Sequence, residues 1–427
     1  MLMKLKNKTY KLFILYWPIV MINYFLLMSV KINLTLLLVD LPLVIFVCKS
    51  FSICINRRKN QFTIIYGLFA LYVLLSFFPY CFTDTPLICY FKGLQYYFVP
   101  LCFAPLGYSF VSNHDYNKCY LYACAICFVV GFFLYATLPS YYIEYLAEVQ
   151  GYENFSQEEL MGATRFSSFL PGSYNISYLS VPALIISLAY SSNENVGIRK
   201  WLCYLIAFVS FIAAILCQQR ISMAFSVLVL SFFAFYLTKH GNRKFILALG
   251  IASIILVVVI NNFVSEMELY DALKGNIQDR LEKMNVSVAM SSRTGQYTSF
   301  NRDTWWSVLT GLGMGSCGHL AIPYGLKTIN DGELVKTFYE YGLIGTTLFS
   351  LLMVVTLIRG VKFFKYFYAE VIIMLFFLGA CIGASALTFF IYNSMFWFSL
   401  GRIWNKDYLY LRKQETSKNV AKQNSVW

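Results

Sequence analysis

The sequence predicts an all-α protein that crosses a membrane about twelve times, and three observations carry that reading. Hydrophobic residues make up 59% of the 427 and charged residues only 13%, with a mean hydropathy of +0.60. A soluble globular chain is near half apolar and about a quarter charged. Apolar runs of about 20 residues, the length of a spanning helix, recur along the chain between charged and turn-forming clusters. Finally, Lys and Arg alternate from connection to connection, as they do where positive charge fixes a helix bundle's orientation.

In chain order, the candidate spans lie near 11–29, 32–49, 62–82, 93–111, 119–138, 171–191, 201–218, 221–238, 245–263, 336–358, 367–384 and 387–402. The last two belong to one apolar run, 367–400, that carries a single charge at Glu370 and is otherwise broken only by Gly, Ala, Ser, Thr and Asn, so their division is the weakest. The N-terminal lysines followed by an apolar run resemble a signal peptide, but no small-residue cleavage site precedes the next run, and the segment reads as a retained first span. Most of the 34 basic residues fall on one side, including Lys4, Arg57, Arg199, Lys239, Arg359 and the tail from Arg402 to Lys422. That side is expected to be cytoplasmic, with both termini inside.

The whole chain, 1–427, reads as one transmembrane helical domain with two long connections, both on the external face. The first, 140–170, carries a capping box at Ser156 to Glu159 that predicts a short helix. The second, 264–335, opens with Tyr270, Leu273, Ile277, Leu281 and Met284 at helical spacing, predicting an amphipathic helix on the membrane surface. The net charge of +13 is accounted for by the basic loops, so no nucleic-acid partner is expected. The twelve cysteines lie mostly in apolar runs, and the Cys124–Cys127 pair reads as helix packing rather than a redox or zinc site.

Chemistry is expected mainly on the external face, above all between Ser291 and Gly345. Arg165, Arg220 and Arg293 come to that face from three parts of the chain. Arg220 stands out because Gln218, Gln219 and Arg220 form a very short turn between two apolar runs, where a guanidinium either snorkels or points into a polar cavity. The three arginines suit a diphosphate, whose oxygens guanidinium binds through paired hydrogen bonds. Gly311, Gly313 and Gly315 suggest a phosphate loop, but no Lys-Ser or Lys-Thr follows, so they read as a tight turn. Asp331, Glu333 and Glu340 suit the N-terminus of the tenth span, and one of them can also act as a base; His319 is the external histidine. No His or carboxylate cluster stands at metal-ligand spacing, and no metal or cofactor is expected. Asp40, mid-span before Pro42, is costly at that depth unless it faces protein or water.

Arg293, Tyr297 and the Gly311-x-Gly-x-Gly315 turn, followed by Glu340-Tyr-Gly342-Leu-Ile-Gly345, resemble the conserved region of the bacterial O-antigen polymerase and O-antigen ligase superfamily. Arg165-Phe-Ser-Ser-Phe and Gln219-Arg220-Ile-Ser222 are similar to that family's arginine segments. The likeness runs from about Arg165 to Ser350. Two positions depart from it: Tyr297 stands where Trp is common, and Asp331-Gly332 where ligases carry His-Asn. The resemblance implies a GT-C-like glycosyltransferase that polymerises surface polysaccharide from polyprenyl diphosphate-linked oligosaccharide. In that reading Arg165, Arg220 and Arg293 hold the diphosphate, and Asp331, His319 or Glu340 is catalytic. A chain-length regulator and a flippase are implied as partners beside membrane lipids. The alternatives are a ligase using the same leaving group and, from another class, a transporter of lipid-linked sugar. The lack of two-half repeat symmetry counts against the transporter.

Overall fold

The computed structural model describes residues 2–56, 61–82, 85–109, 114–150, 165–191, 198–239, 305–324, 329, 332–384, 386–388 and 391–414. All regular structure among them is helical. Fourteen helices matter for the site and are labelled here in chain order. They are α1 (Leu2–Val30), α2 (Leu41–Asn56), α3 (Gln61–Leu75), α4 (Leu87–Gly93), α5 (Phe103–Ser109), α6 (His114–Thr137), α7 (Ser140–Gln150) and α8 (Ser173–Ser191). The others are α9 (Lys200–Leu216), α10 (Arg220–Lys239), α11 (Trp305–Thr310), α12 (Glu333–Lys362), α13 (Phe364–Gly383) and α14 (Ser394–Trp404).

Seven helical segments among the described residues are long and apolar enough to cross a membrane: 11–30, 36–54, 61–82, 87–109, 115–137, 333–362 and 364–382. The helices α9 and α10 are apolar but contribute shorter stretches, Lys200–Leu216 and Arg220–Ala234. A multi-pass membrane protein is therefore what the chain forms. The expected span at 387–402 differs. There the chain makes a 3-10 turn at Ala386–Thr388 and then the 11-residue α14, about 16 Å of helix against roughly 30 Å of hydrocarbon. Every residue of α14 is buried in protein, so its apolar character reflects a core rather than a lipid face. The expected ninth span, the capping box at 156–159 and the amphipathic helix after 264 lie outside the described residues.

The chain divides into two compact units. One contains Met1–Tyr16, Thr35–Asn117 and Met290–Trp427; the other contains Trp17–Leu34 and Lys118–Ala289. The core of the first is aromatic. Phe13 stacks on Tyr116 with ring centroids 4.4 Å apart, and Phe46, Phe103 and Phe398 close around Phe13 at 5.4 to 5.9 Å. These offset and edge-on contacts suit aromatic quadrupoles. Arg402 and Glu370, 2% and 4% exposed, form a buried pair at 3.6 Å, and the Tyr408 hydroxyl donates to the same Glu370 oxygen at 2.9 Å.

In the second unit, α8 is the central element, buried nearly along its whole length and packed on α9 and α10. Its many serines fit that position, because small hydroxyl residues let helices approach and can bond their own backbone: Ser187 and Ser191 donate to carbonyls three residues back. Cys124 and Cys127 are buried on α6 and carry free thiols.

Candidate functional site

Local chain logic builds a corner around Arg165 and Arg220 in the second unit. The last carbonyls of a helix lack intrahelical partners, and at the end of α9 one of them, Leu216 O, accepts the Phe166 N–H at 3.2 Å. That bond fixes the backbone next to Arg165 against the C-terminus of α9. The segment 166–170 is 0–2% exposed and held on all sides. The Phe166 ring stacks on Phe132 at 5.0 Å and meets Tyr135 edge-on at 5.7 Å. Ser168 Oγ donates to Cys127 O at 2.7 Å, while the Tyr142 and Tyr145 hydroxyls of α7 donate to Ser168 O and Phe169 O at 3.0 and 2.9 Å. Burial pushes both phenols well up from their ordinary value of 10.0, so they stay donors through neutral pH.

The turn from α9 to α10 is equally tight. Gln218 takes a positive φ of 54°, and α10 begins two residues later at Arg220. Gln219 Nε2 donates to Ser173 Oγ at 3.3 Å, tying the start of α10 to the start of α8. The hydroxyls of Ser177 on α8 and Ser222 on α10 also pair. The Arg165 guanidinium lies near enough to the Cys217 thiol to interact with it electrostatically. Two arginines that are 55 positions apart in the chain (220 − 165) are thus brought to the same break between α9 and α10. Both are partly buried, and neither forms a salt bridge with a described carboxylate.

In the first unit, the Gly311–Gly315 turn docks on a kink in α12. Glycines 311, 313 and 315 have φ of 80°, 94° and 86°. The Leu312 and Gly313 N–H groups donate to Tyr339 O and Glu340 O at 2.9 and 3.0 Å. Those carbonyls stand just before Gly342, which at φ 64° and ψ −167° breaks the helix. Only glycine occupies that region readily. A Cβ on Gly311 would strike Glu340 O, and one on Gly342 would strike Leu309 O. From α3, the Tyr72 hydroxyl donates to Tyr341 O at 2.7 Å, so the break is bonded from both sides.

One face of α12 buries three ionisable side chains. Glu333, Lys336 and Glu340 are at most 1% exposed, and Lys336 Nζ lies 3.4 Å from Glu333 Oε1. Lys336 also sits 5.0 Å from the centre of the Tyr97 ring. Glu340 Oε1 accepts the Cys317 N–H at 3.3 Å, linking the glycine turn to the helix once more. Beside Glu333, Thr337, Tyr97 and Tyr341 lies a cavity of about 20 Å³, enough for about one water.

The structure therefore gathers Arg165 with Arg220, and the three glycines with Glu340. Arg293 and Asp331 lie outside the described residues. The His319 backbone opens a 3-10 turn at His319–Tyr324. Asp40 ends a π turn, Leu36–Asp40, with its Oδ1 3.5 Å from Gln95 Nε2. Sequence reasoning passed over Lys336, whose spacing from Glu333 and Glu340 put all three on one helical face. The segment 166–170, noted in the sequence beside Arg165, proved to be a buried strap, which Phe-Ser-Ser-Phe-Leu, with two serines among its five residues, does not announce. No protein-family model matches the chain, and no curated protein matches it.

Proposed function

We propose that the protein is a polymerase of bacterial surface polysaccharide, acting at the outer face of the cytoplasmic membrane on polyprenyl diphosphate-linked repeat units. The observation that carries the reading is the convergence of Arg165 and Arg220 at the α9–α10 break, held there by the Phe166–Leu216 and Gln219–Ser173 bonds and with no described carboxylate to neutralise them. Two partly buried arginines whose neighbouring residues are held at one corner of a membrane protein suit a polyanionic group at the end of a lipid. The resemblance of the Arg165, Arg220, Gly311–Gly315 and Glu340–Gly345 segments to O-antigen polymerases supplies the reaction class.

In the proposed reaction an acceptor sugar hydroxyl attacks the anomeric carbon of the donor glycan. The new glycosidic C–O bond forms as the bond from that carbon to the diphosphate oxygen breaks, and the electron pair leaves with the diphosphate. Negative charge grows on the leaving oxygen in the transition state, so fixed guanidiniums stabilise that state more than the bound substrate. The hydroxyl proton goes to a base, for which Asp331 and His319 are the candidates. Glu340, fully buried and engaged by Cys317 N–H, is better suited to holding the glycine turn in place.

The test is reconstitution: purified protein in proteoliposomes with synthetic lipid-linked repeat units. A ladder of longer lipid-linked glycans supports the polymerase. Transfer only to an added non-lipid-linked acceptor would turn the reading to a ligase. Movement of unreacted substrate between leaflets, with no new bond, would make the protein a transporter and end the proposal.

A further inference from the structure

Gln218 carries two unfavourable features at once. It is a non-glycine residue at φ 54°, a conformation most side chains avoid. It is also only 4% exposed, with its Nε2 buried and without a hydrogen-bond acceptor among the described residues. Leaving a buried amide donor unmade is costly, and glycine would make the same turn without strain. A residue kept under both penalties beside Arg220 calls for a partner that supplies an acceptor.

The surroundings specify that partner's chemistry. The Arg165 and Arg220 guanidiniums can only donate. The N–H groups that open the 20-residue α10 add further donors and the positive end of its dipole. At the end of α9, Leu216 O is already taken by Phe166 N–H. Gln219 Nε2 donates to Ser173 Oγ, whereas Gln218 Nε2 has no acceptor among the described residues. A ligand here must present several acceptor oxygens and negative charge.

We propose that the Gln218 carboxamide is a third binding group of the arginine corner, donating to an oxygen of the phosphate or diphosphate held by Arg165 and Arg220. The inference rests on the reading of this corner as a diphosphate site and adds a residue that the charge pattern does not reveal. Being neutral, Gln218 contributes geometry and a hydrogen bond without adding to the positive charge. It thereby holds the anion in one orientation without binding the departing product more tightly through charge.

The experiment measures binding of inorganic pyrophosphate and of farnesyl diphosphate to the full chain in nanodiscs, by thermophoresis, beside the thermal midpoint of each variant. Gln218→Gly is expected to weaken both ligands about 10- to 100-fold, the scale of one hydrogen bond to a charged group, while its midpoint is unchanged or higher because glycine accepts φ 54° freely. Gln218→Glu is expected to weaken them further by placing a negative charge against the anion. Farnesyl diphosphate binding more tightly than pyrophosphate would identify the lipid-linked source of the anion; equal affinity would identify the free anion, with the role of Gln218 the same. Wild-type affinity in Gln218→Gly, or affinity lost only in step with a falling midpoint, overturns the inference. If Arg220→Ala loses binding while Gln218→Gly does not, only the role of Gln218 fails. If Arg220→Ala also binds as the wild type does, the arginine site itself is wrong.

Discussion

Gly342 and Lys336 show how single residues fix the region around α12. The φ and ψ of Gly342 lie where essentially only glycine is found, and a side chain there costs about 1–3 kcal/mol in backbone strain alone. The contact that a Cβ would make with Leu309 O adds to this. Gly342→Ala is thus expected to lower the unfolding midpoint in detergent markedly, and Gly67→Ala, where a Cβ meets nothing within 4 Å, to leave it unchanged. Equal midpoints for the two would contradict the docking of the glycine turn. Lys336 lies between two buried carboxylates, and removing one partner from a buried ion pair typically costs about 3–5 kcal/mol. Lys336→Met should therefore destabilise far more than Lys31→Met, whose pair with Glu144 is exposed. Chemical denaturation of both variants would decide it. The glycine spacing at 311–315 was readable in the sequence, and so was the helical face shared by Glu333, Lys336 and Glu340. What the turn docks against was not, because the kink at Gly342 is a tertiary choice and nothing local distinguishes it from Gly345.

Among the elements, α7 and the strap 165–172 set the position of Arg165. The Tyr142 and Tyr145 hydroxyls bond consecutive strap carbonyls, and Tyr142→Phe with Tyr145→Phe should loosen the strap while leaving every charge in place. The expected result is a raised KM for the lipid-linked donor with little change in the reaction of bound substrate. The same phenols give a pH dependence. Burial raises their folded-state values above the ordinary 10.0, so the unfolded chain loses those protons first. The stability they contribute is full below about pH 10 and falls as pH rises beyond it. Unfolding measured from pH 8 to 11 should show a decline that the double Phe variant reduces. Long apolar segments were the most legible elements, since a spanning helix declares itself by length. The region after residue 384 was the least legible. A run of apolar residues buried in protein reads the same as one buried in lipid, and α14 proved to be the former. The corner of Arg165 and Arg220 stood between these cases. The sequence marks each arginine beside a break in hydrophobicity, whereas the docking of the Arg165 segment on the end of α9 depends on the Phe166–Leu216 bond.

For the whole molecule, the charge pattern expects both termini and the basic connections in the cytoplasm, and the arginine corner on the opposite side. Single cysteines placed at 57, 140 and 199 in a cysteine-free background should report it. The variants at 57 and 199 should resist an impermeant maleimide in whole cells, and the one at 140 should react. Labelling of 199 with protection of 140 would reverse the orientation and place the corner away from any external substrate. The central claim is that Arg165 and Arg220 act together on the diphosphate leaving group. The most direct measurement is the polymerisation rate of proteoliposomes containing wild type, Arg165→Ala or Arg220→Ala, with insertion and thermal midpoint checked for each. Each substitution is predicted to slow polymer formation about 10²- to 10³-fold, the scale of losing one preorganised charge-stabilising group, at an unchanged midpoint. Normal rates and chain lengths in both variants would contradict the account.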